Sequence, residues 1–181
     1  RKEFFVRYDP AFRSGDTHEM DQRQEELLED DSITEEWDKH QERIEQLGKY
    51  FKNSTEYQYQ QPEIDGRKQP IANNLSALFL ERIYNLVNGD GYVAQVLPEI
   101  IFSNAMGKDL RIHLLNNTSV GYLIGFENKG IFDGIDDRYN FRIATFKNSG
   151  ETDYLSGISR RRTLEVLDDV KSHTFEIPKE V

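Results

Sequence analysis

The chain contains no cysteine. Disulfides, thiolate nucleophiles and cysteine-based zinc sites are therefore excluded. The absence agrees with a reducing compartment, and the cytoplasm is the expected location. Its five prolines, Pro10, Pro62, Pro70, Pro98 and Pro178, never stand side by side. No apolar run approaches the roughly 20 residues of a membrane helix. No secretory leader is visible, although a trimmed N-terminus would hide one. Neither a Gly-x-Gly-x-x-Gly turn nor a phosphate-cradling Gly-Lys-Ser loop is present. The histidines are His18, His40, His113 and His173, and no two lie one helical turn apart as a metal pair would. Without cysteine, a nucleophilic triad needs a serine with a His–Asp pair, and nothing flags one. Basic residues are the minority, 23 against 33 acidic for a net charge of −10. That balance argues against a broad nucleic-acid surface, because phosphate contacts need lysine and arginine.

What remains is a chain of 181 residues, enough for one core of ordinary size. It begins with Arg1 rather than Met, and is expected to be a piece of a longer protein. The run Phe4-Phe5-Val6 is an apolar patch between charges that reads as either an edge strand or an ordered loop. Residues 16–51 are charged and helical. Asp16 or Thr17 suits a first N-cap. Ser32 with Glu35 forms a capping-box pattern for a second helix. There Ile33, Trp37, Ile44, Leu47 and Phe51 make a narrow apolar stripe, which Gly48 weakens by about 1 kcal/mol relative to alanine. Met20, Leu27 and Leu28 are all the first helix offers, so the second is expected to dock better. This segment reads as a clamp or partner surface, or more plainly as a solvated helical insertion. Residues 53–71 lack a period and read as a loop. Its tyrosines, Tyr57 and Tyr59, could stack bases or simply cover a core edge.

The organising stretch is 74–146. Asn74 suits the N-cap of a helix with an apolar face of Leu75, Leu78, Phe79, Ile83, Leu86 and Val87, stopped at Asn88-Gly89. After the turn Gly89-Asp90-Gly91, Tyr92 to Leu97 is apolar except for Gln95, the pattern of a strand covered on both faces. Ser103 is the candidate cap for a helix over 104–115 with Met106, Leu110 and Leu114 on one side. Strands are expected at 120–126 and 141–146, with about a dozen residues between them, long enough to be functional. Beyond, Arg160-Arg161-Arg162 precedes a short helical pattern over 163–170, and 175–178 is a final extended piece.

The order and spacing of five stretches resemble the segment after the catalytic loop in adenine-N6 DNA methyltransferases. They are Asn-Leu-Ser-Ala-Leu-Phe-Leu-Glu-Arg (74–82), Asn-Gly-Asp-Gly-Tyr-Val-Ala-Gln-Val-Leu-Pro (88–98), Gly-Lys-Asp-Leu-Arg-Ile-His-Leu-Leu (107–115), Ile-Gly-Phe-Glu-Asn (124–128) and Ile-Phe-Asp-Gly-Ile-Asp-Asp-Arg-Tyr-Asn-Phe (131–141). The likeness is greatest to Type IIG restriction–modification enzymes and BREX-type phage-defence methylases. In that family the last stretch reads roughly Phe-Pro-Ile-Asp-x-Arg-Tyr-x-Phe. The likeness covers about residues 70 to 150.

The resemblance implies an α/β fold, a partial Rossmann-like methyltransferase sheet with a β-hairpin. Residues 1–70 would be the charged helical insertion and loop, and 71–181 the C-terminal part of the methyltransferase domain. It implies S-adenosylmethionine as methyl donor and double-stranded DNA as partner. It also places the cofactor loop and the Asn-Pro-Pro-aromatic loop upstream of residue 74, where this chain has neither, so the fragment alone is expected to be inactive. A methylase must extrude its adenine from the stack and hold it on an aromatic face. By resemblance Phe132 is that aromatic, while Arg138 and Tyr139 would meet phosphate or base. Phe132 and Tyr139 could instead plug the end of the sheet. Arg160 and Arg161 could touch the DNA backbone, or begin a solvated helix. A reading of a different class is an acidic, non-catalytic protein-interaction domain.

Overall fold

A computed structural model of the chain describes residues 1–68 and 74–179. It divides into two compact units at Tyr50/Phe51. The boundary expected at 70/71 lies outside the described residues, as does Pro70.

The first unit is helical. Its aromatic patch is neither strand nor loop: Lys2–Phe5 is a short helix, α1. Phe4 and Phe5 pack with Phe12 into a small core joined by Met20, Leu27, Leu28, Ile33 and Trp37. Two apolar rings in sequence can both be buried on a single helical turn when helices close over them from both sides, which no alternation pattern reveals. Asp16 caps α2 (Thr17–Leu27), accepting from the Glu19 N–H at 2.9 Å. Helix α3 spans Asp31–Asn53. Its cap is not Ser32, which lies inside the helix. Asp30 accepts from the Ser32 amide at 2.8 Å and from its hydroxyl at 2.5 Å. A carboxylate at the positive end of the helix dipole outcompetes a hydroxyl for the free amides. The stripe is half-buried at Ile33, Trp37 and Phe51 and open between them, with Ile44 and Leu47 exposed.

The second unit is α/β. Its five-stranded sheet has the order β3-β5-β4-β6-β7, with β3 Tyr92–Pro98, β4 Ser119–Glu127, β5 Asn140–Lys147, β6 Tyr154–Arg161 and β7 Phe175–Pro178. A two-stranded ribbon, β1 (Glu63–Ile64) with β2 (Arg67–Lys68), precedes it within the stretch read as loop. Strand β5 returns from β4 as a hairpin and inserts between β3 and β4, antiparallel to both. Consequently β3 and β4 run the same way, and β6 joins β4 in parallel.

Helices α4 (Leu75–Leu86), α5 (Ile100–Ser103) and α6 (Lys108–Asn117) supply one main layer. Leu80, Ile101, Leu110 and Leu114 pack there on Val93, Leu97, Ala144 and Phe146 of the strands. Asn74 caps α4 through the Ser76 and Ala77 amides. At its far end the Asn148 amide donates to the Tyr84 and Val87 carbonyls. The expected face of α4 is rotated: Leu75, Phe79 and Leu86 are exposed, while Leu80 and Glu81 are buried. Ser103 closes α5 rather than opening the next helix, and the Asn104 side chain caps the following 3-10 turn. The other side of the sheet holds Ile124, Phe126, Phe141, Ile158 and Val166.

Two strands depart from expectation. Strand β6 has a diluted pattern, with Ser156, Gly157 and Ser159 among its apolar residues, yet parallel pairing with β4 holds it. A Cβ on Gly157 would sit 3.1 Å from the Phe175 ring, so only glycine lets β7 lie close. Strand β3 is covered on one side only, because it is the margin of the sheet. Its outer edge pairs with no other strand among the described residues, and Tyr92, Ala94 and Val96 are exposed.

Tyr59 covers the core edge, as the plainer reading of its loop anticipated. It stacks on His113 at 3.9 Å, and Tyr84 meets the same imidazole edge-on at 4.4 Å. Burial pushes the His113 pKa below the ordinary 6.5, and its Nε2 is enclosed without a partner. The folded state thus holds the ring neutral, whereas the unfolded chain takes up a proton near 6.5. Stability from this site should be complete above pH 7 and should fall as pH drops through 6.5 toward the lowered folded value. Urea midpoints at about pH 7.5 and about pH 5.5 should differ less in His113→Phe than in the wild type; an equal difference would reject this assignment.

Candidate aromatic cleft

The carboxyl ends of β3, β4 and β6 point the same way, the end of an open α/β sheet where ligands usually bind. There the loop of residues 128–139 leaves β4 and returns into β5. Its conformation depends on Asn128, which is 1% exposed. The Asn128 carbonyl oxygen accepts from the Phe132 N–H at 2.9 Å, and its amide donates to the Ile135 carbonyl at 3.1 Å. Gly130 and Gly134 take positive φ within the loop, which a side chain would resist.

Held this way, Phe132 lies edge-on to Phe141 at 4.9 Å, and Phe141 stacks on Phe126 at 5.1 Å. A cleft of about 370 Å³ opens beside them. Val96, Leu97 and Pro98 wall it from β3, and Phe132, Ile135 and Tyr139 from the loop. Phe132 is 39% exposed, and Tyr139 more so. Neither ring is a buried plug for the sheet. An open slot between flat apolar groups suits a neutral aromatic ring.

The cations stand around the cleft rather than in it. Arg138 precedes Tyr139 with its side chain 85% exposed. Its Nε donates to both Asp136 oxygens at 3.0 Å, and its Nη2 donates to one at 2.6 Å. These bonds, with the Arg138 backbone N–H on the same carboxylate, hold Asp136 down to a pKa of about 2. Lys129 pairs with Asp137 at 3.0 Å, and Arg162 with Glu127 at 2.7 Å. Arg160 and Arg161 end β6 rather than starting a helix. Arg161 sits opposite Phe126, beside the root of the loop. Arg160 has φ +55°, strained for a residue with a side chain. Thus Phe132 and Tyr139 share the cleft, Arg138 lies on the outside of its turn, and Arg160 and Arg161 are at the same end of the sheet without lining it. Asn128 and Asp136 were missed in the sequence. Asn128 lies two residues before Gly130 and Asp136 two residues after Gly134, an indirect signal for a side chain that organises a loop.

Among the described residues no group of acidic or histidine side chains could hold a metal ion. None of their helices is long and apolar enough to cross a membrane. At this end β3 runs into Pro98 and α5, and β4 into the aromatic loop.

The sequence model of the Eco57I restriction-modification methylase family matches residues 43–132. No curated protein sequence matches the chain. Among solved structures it is similar to the M protein of the type I restriction enzyme EcoKI, with 18% identity over 48% of this chain and 20% of that one at a TM-score of 0.43. A structure of a type I restriction–modification system gives 12% identity over 66% of this chain and 32% of that one, TM-score 0.48. A type I modification subunit from Vibrio vulnificus YJ016 gives 15% identity over 68% and 32%, TM-score 0.49. The chain therefore spans between a fifth and a third of these structures.

Proposed function

We propose that the chain, whose residues 43–132 match the sequence model of the Eco57I restriction-modification methylase family, is the part of a site-specific DNA methyltransferase that receives the extruded target base. The intact parent transfers a methyl group from S-adenosylmethionine to adenine N6 within a restriction–modification or phage-defence system. The observation that supports this is the aromatic cleft at the carboxyl ends of β3 and β4. A base inside a duplex cannot present its amino group, so the enzyme must turn it out and hold it. Phe132 and Tyr139 offer flat faces from the loop, and Val96 and Pro98 the wall from β3. No general base is asked of these residues. Their work is to orient the ring and keep water from it, while the donor and the groups that hold the amino nitrogen come from elsewhere in the parent.

The open margin of β3 fits this division of labour, since an edge strand with free backbone groups can be continued by further strands. The first unit plays another part. Residues 1–50 hold fifteen acidic and eight basic residues, so DNA is met by the second unit instead. That imbalance also favours the second reading, an acidic interaction module, at least for the helical unit.

The test is methyl transfer by the intact parent. Duplexes incubated with isotopically labelled S-adenosylmethionine are digested and their nucleosides identified by mass spectrometry. Labelled N6-methyladenine is expected. Label on cytosine, or on no base, would refute the assignment.

A further inference from the structure

Lys129 and Arg138 in the loop and Arg162 near its root each carry a carboxylate partner from the same end of the sheet, whereas Arg160 and Arg161 form no ion pair among the described residues. Pairing of both cations within the loop itself is odd for a surface meant to meet a polyanion. We propose that Asp136 is a specificity-determining counter-ion, an internal stand-in for a DNA phosphate that keeps Arg138 off the backbone until a duplex is seated in the cleft. The inference rests on the DNA-methyltransferase reading above.

The geometry supports exchange rather than permanent pairing. Asp136 binds the guanidinium through both oxygens, the fork arrangement that arginine also makes with phosphate. A phosphate can therefore replace the carboxylate with no loss of hydrogen bonds. Arg138 is solvent-exposed, and exposed ion pairs contribute little net stability, so release is cheap. Proximity favours re-pairing, because Asp136 also accepts the Arg138 backbone N–H at 2.9 Å and cannot drift away. Position matters too: Arg138 is one residue from Tyr139 in the cleft wall, where phosphates flanking an extruded base would run. Sequence-independent binding depends on free cations. A masked arginine weakens it, while a seated base places a phosphate close enough to win the exchange.

The experiment uses the intact parent and fluorescence anisotropy with cognate and non-cognate duplexes across a salt series. Asp136→Asn keeps an oxygen for the Arg138 N–H and removes the charge. It should tighten non-cognate binding by roughly three- to ten-fold and steepen the salt dependence by about one phosphate contact. Cognate binding should change less, so discrimination falls. Adding Arg138→Gln should cancel the gain. Asp133→Asn removes an equal charge from the same loop without touching Arg138, and should leave the salt slope as it was. Unchanged non-cognate binding in Asp136→Asn, or an equal shift in Asp133→Asn, would overturn the proposal while the wild type still prefers its cognate duplex. A wild-type parent that binds no duplex is a different result, which removes the DNA reading and this inference with it.

Discussion

Truncation of Phe132 to alanine in the intact parent is expected to lower kcat/KM for its cognate duplex by roughly 5- to 150-fold. Stacking of a base on an aromatic side chain is worth about 1–3 kcal/mol, and 1.4 kcal/mol is about a factor of ten in rate. Phe132→Trp should retain most of the activity. Asn128→Ala should lose a similar amount, because the Phe132 amide loses its acceptor and the Ile135 carbonyl its donor. The two effects should not add. If Asn128 acts through Phe132, the double variant is no worse than the more severe single one. Simple addition would mean that Asn128 merely stabilises the fold. Full activity in Phe132→Ala would remove this ring from the base site.

Replacement of Glu81 by leucine is expected to cost the isolated chain about 2–4 kcal/mol, read from urea midpoints. The Glu81 side chain is 1% exposed. One oxygen accepts the Gln58 and Tyr59 backbone N–H groups, and the other accepts the Gln60 amide at 2.6 Å. Leucine fits the space but leaves these donors unpaired, at about 1–3 kcal/mol for each one that stays buried. Glu81→Gln keeps an acceptor for the backbone pair and should lose less. Hydrogen exchange at Tyr59 should accelerate in both. A neutral or stabilised leucine variant would show that the desolvation of the carboxylate exceeds the worth of its bonds.

Glu81 also marks where sequence reading stops. The apolar pattern of α4 pointed to Phe79 and Leu86, and the helix turned them outward because Glu81, with a polar strap to satisfy, took the inner side. The strands at 92, 120 and 141 were legible because β-branched and aromatic residues are concentrated there between turn residues. Strand β6 was not, since Gly157 and its serines weaken the local signal and long-range pairing with β4 supplies the rest. The cleft was half legible. Phe132 and Tyr139 were indicated by an order of residues that resembles a family, and both line the cleft from the loop side. Asn128 and Asp136 act by hydrogen bonds across the loop, a kind of information that spacing along a chain does not carry.

The bare margin of β3 has a consequence for handling the protein. Tyr92 to Leu97 is six residues without a charge or a proline, with Tyr92 81% exposed and Val96 half so. Uncharged runs of this length and β-propensity are what amyloid-like zippers assemble from. With no lysine in β3, solubility of the chain depends on low concentration or on a neighbour that caps the rim, and misassembly would start there.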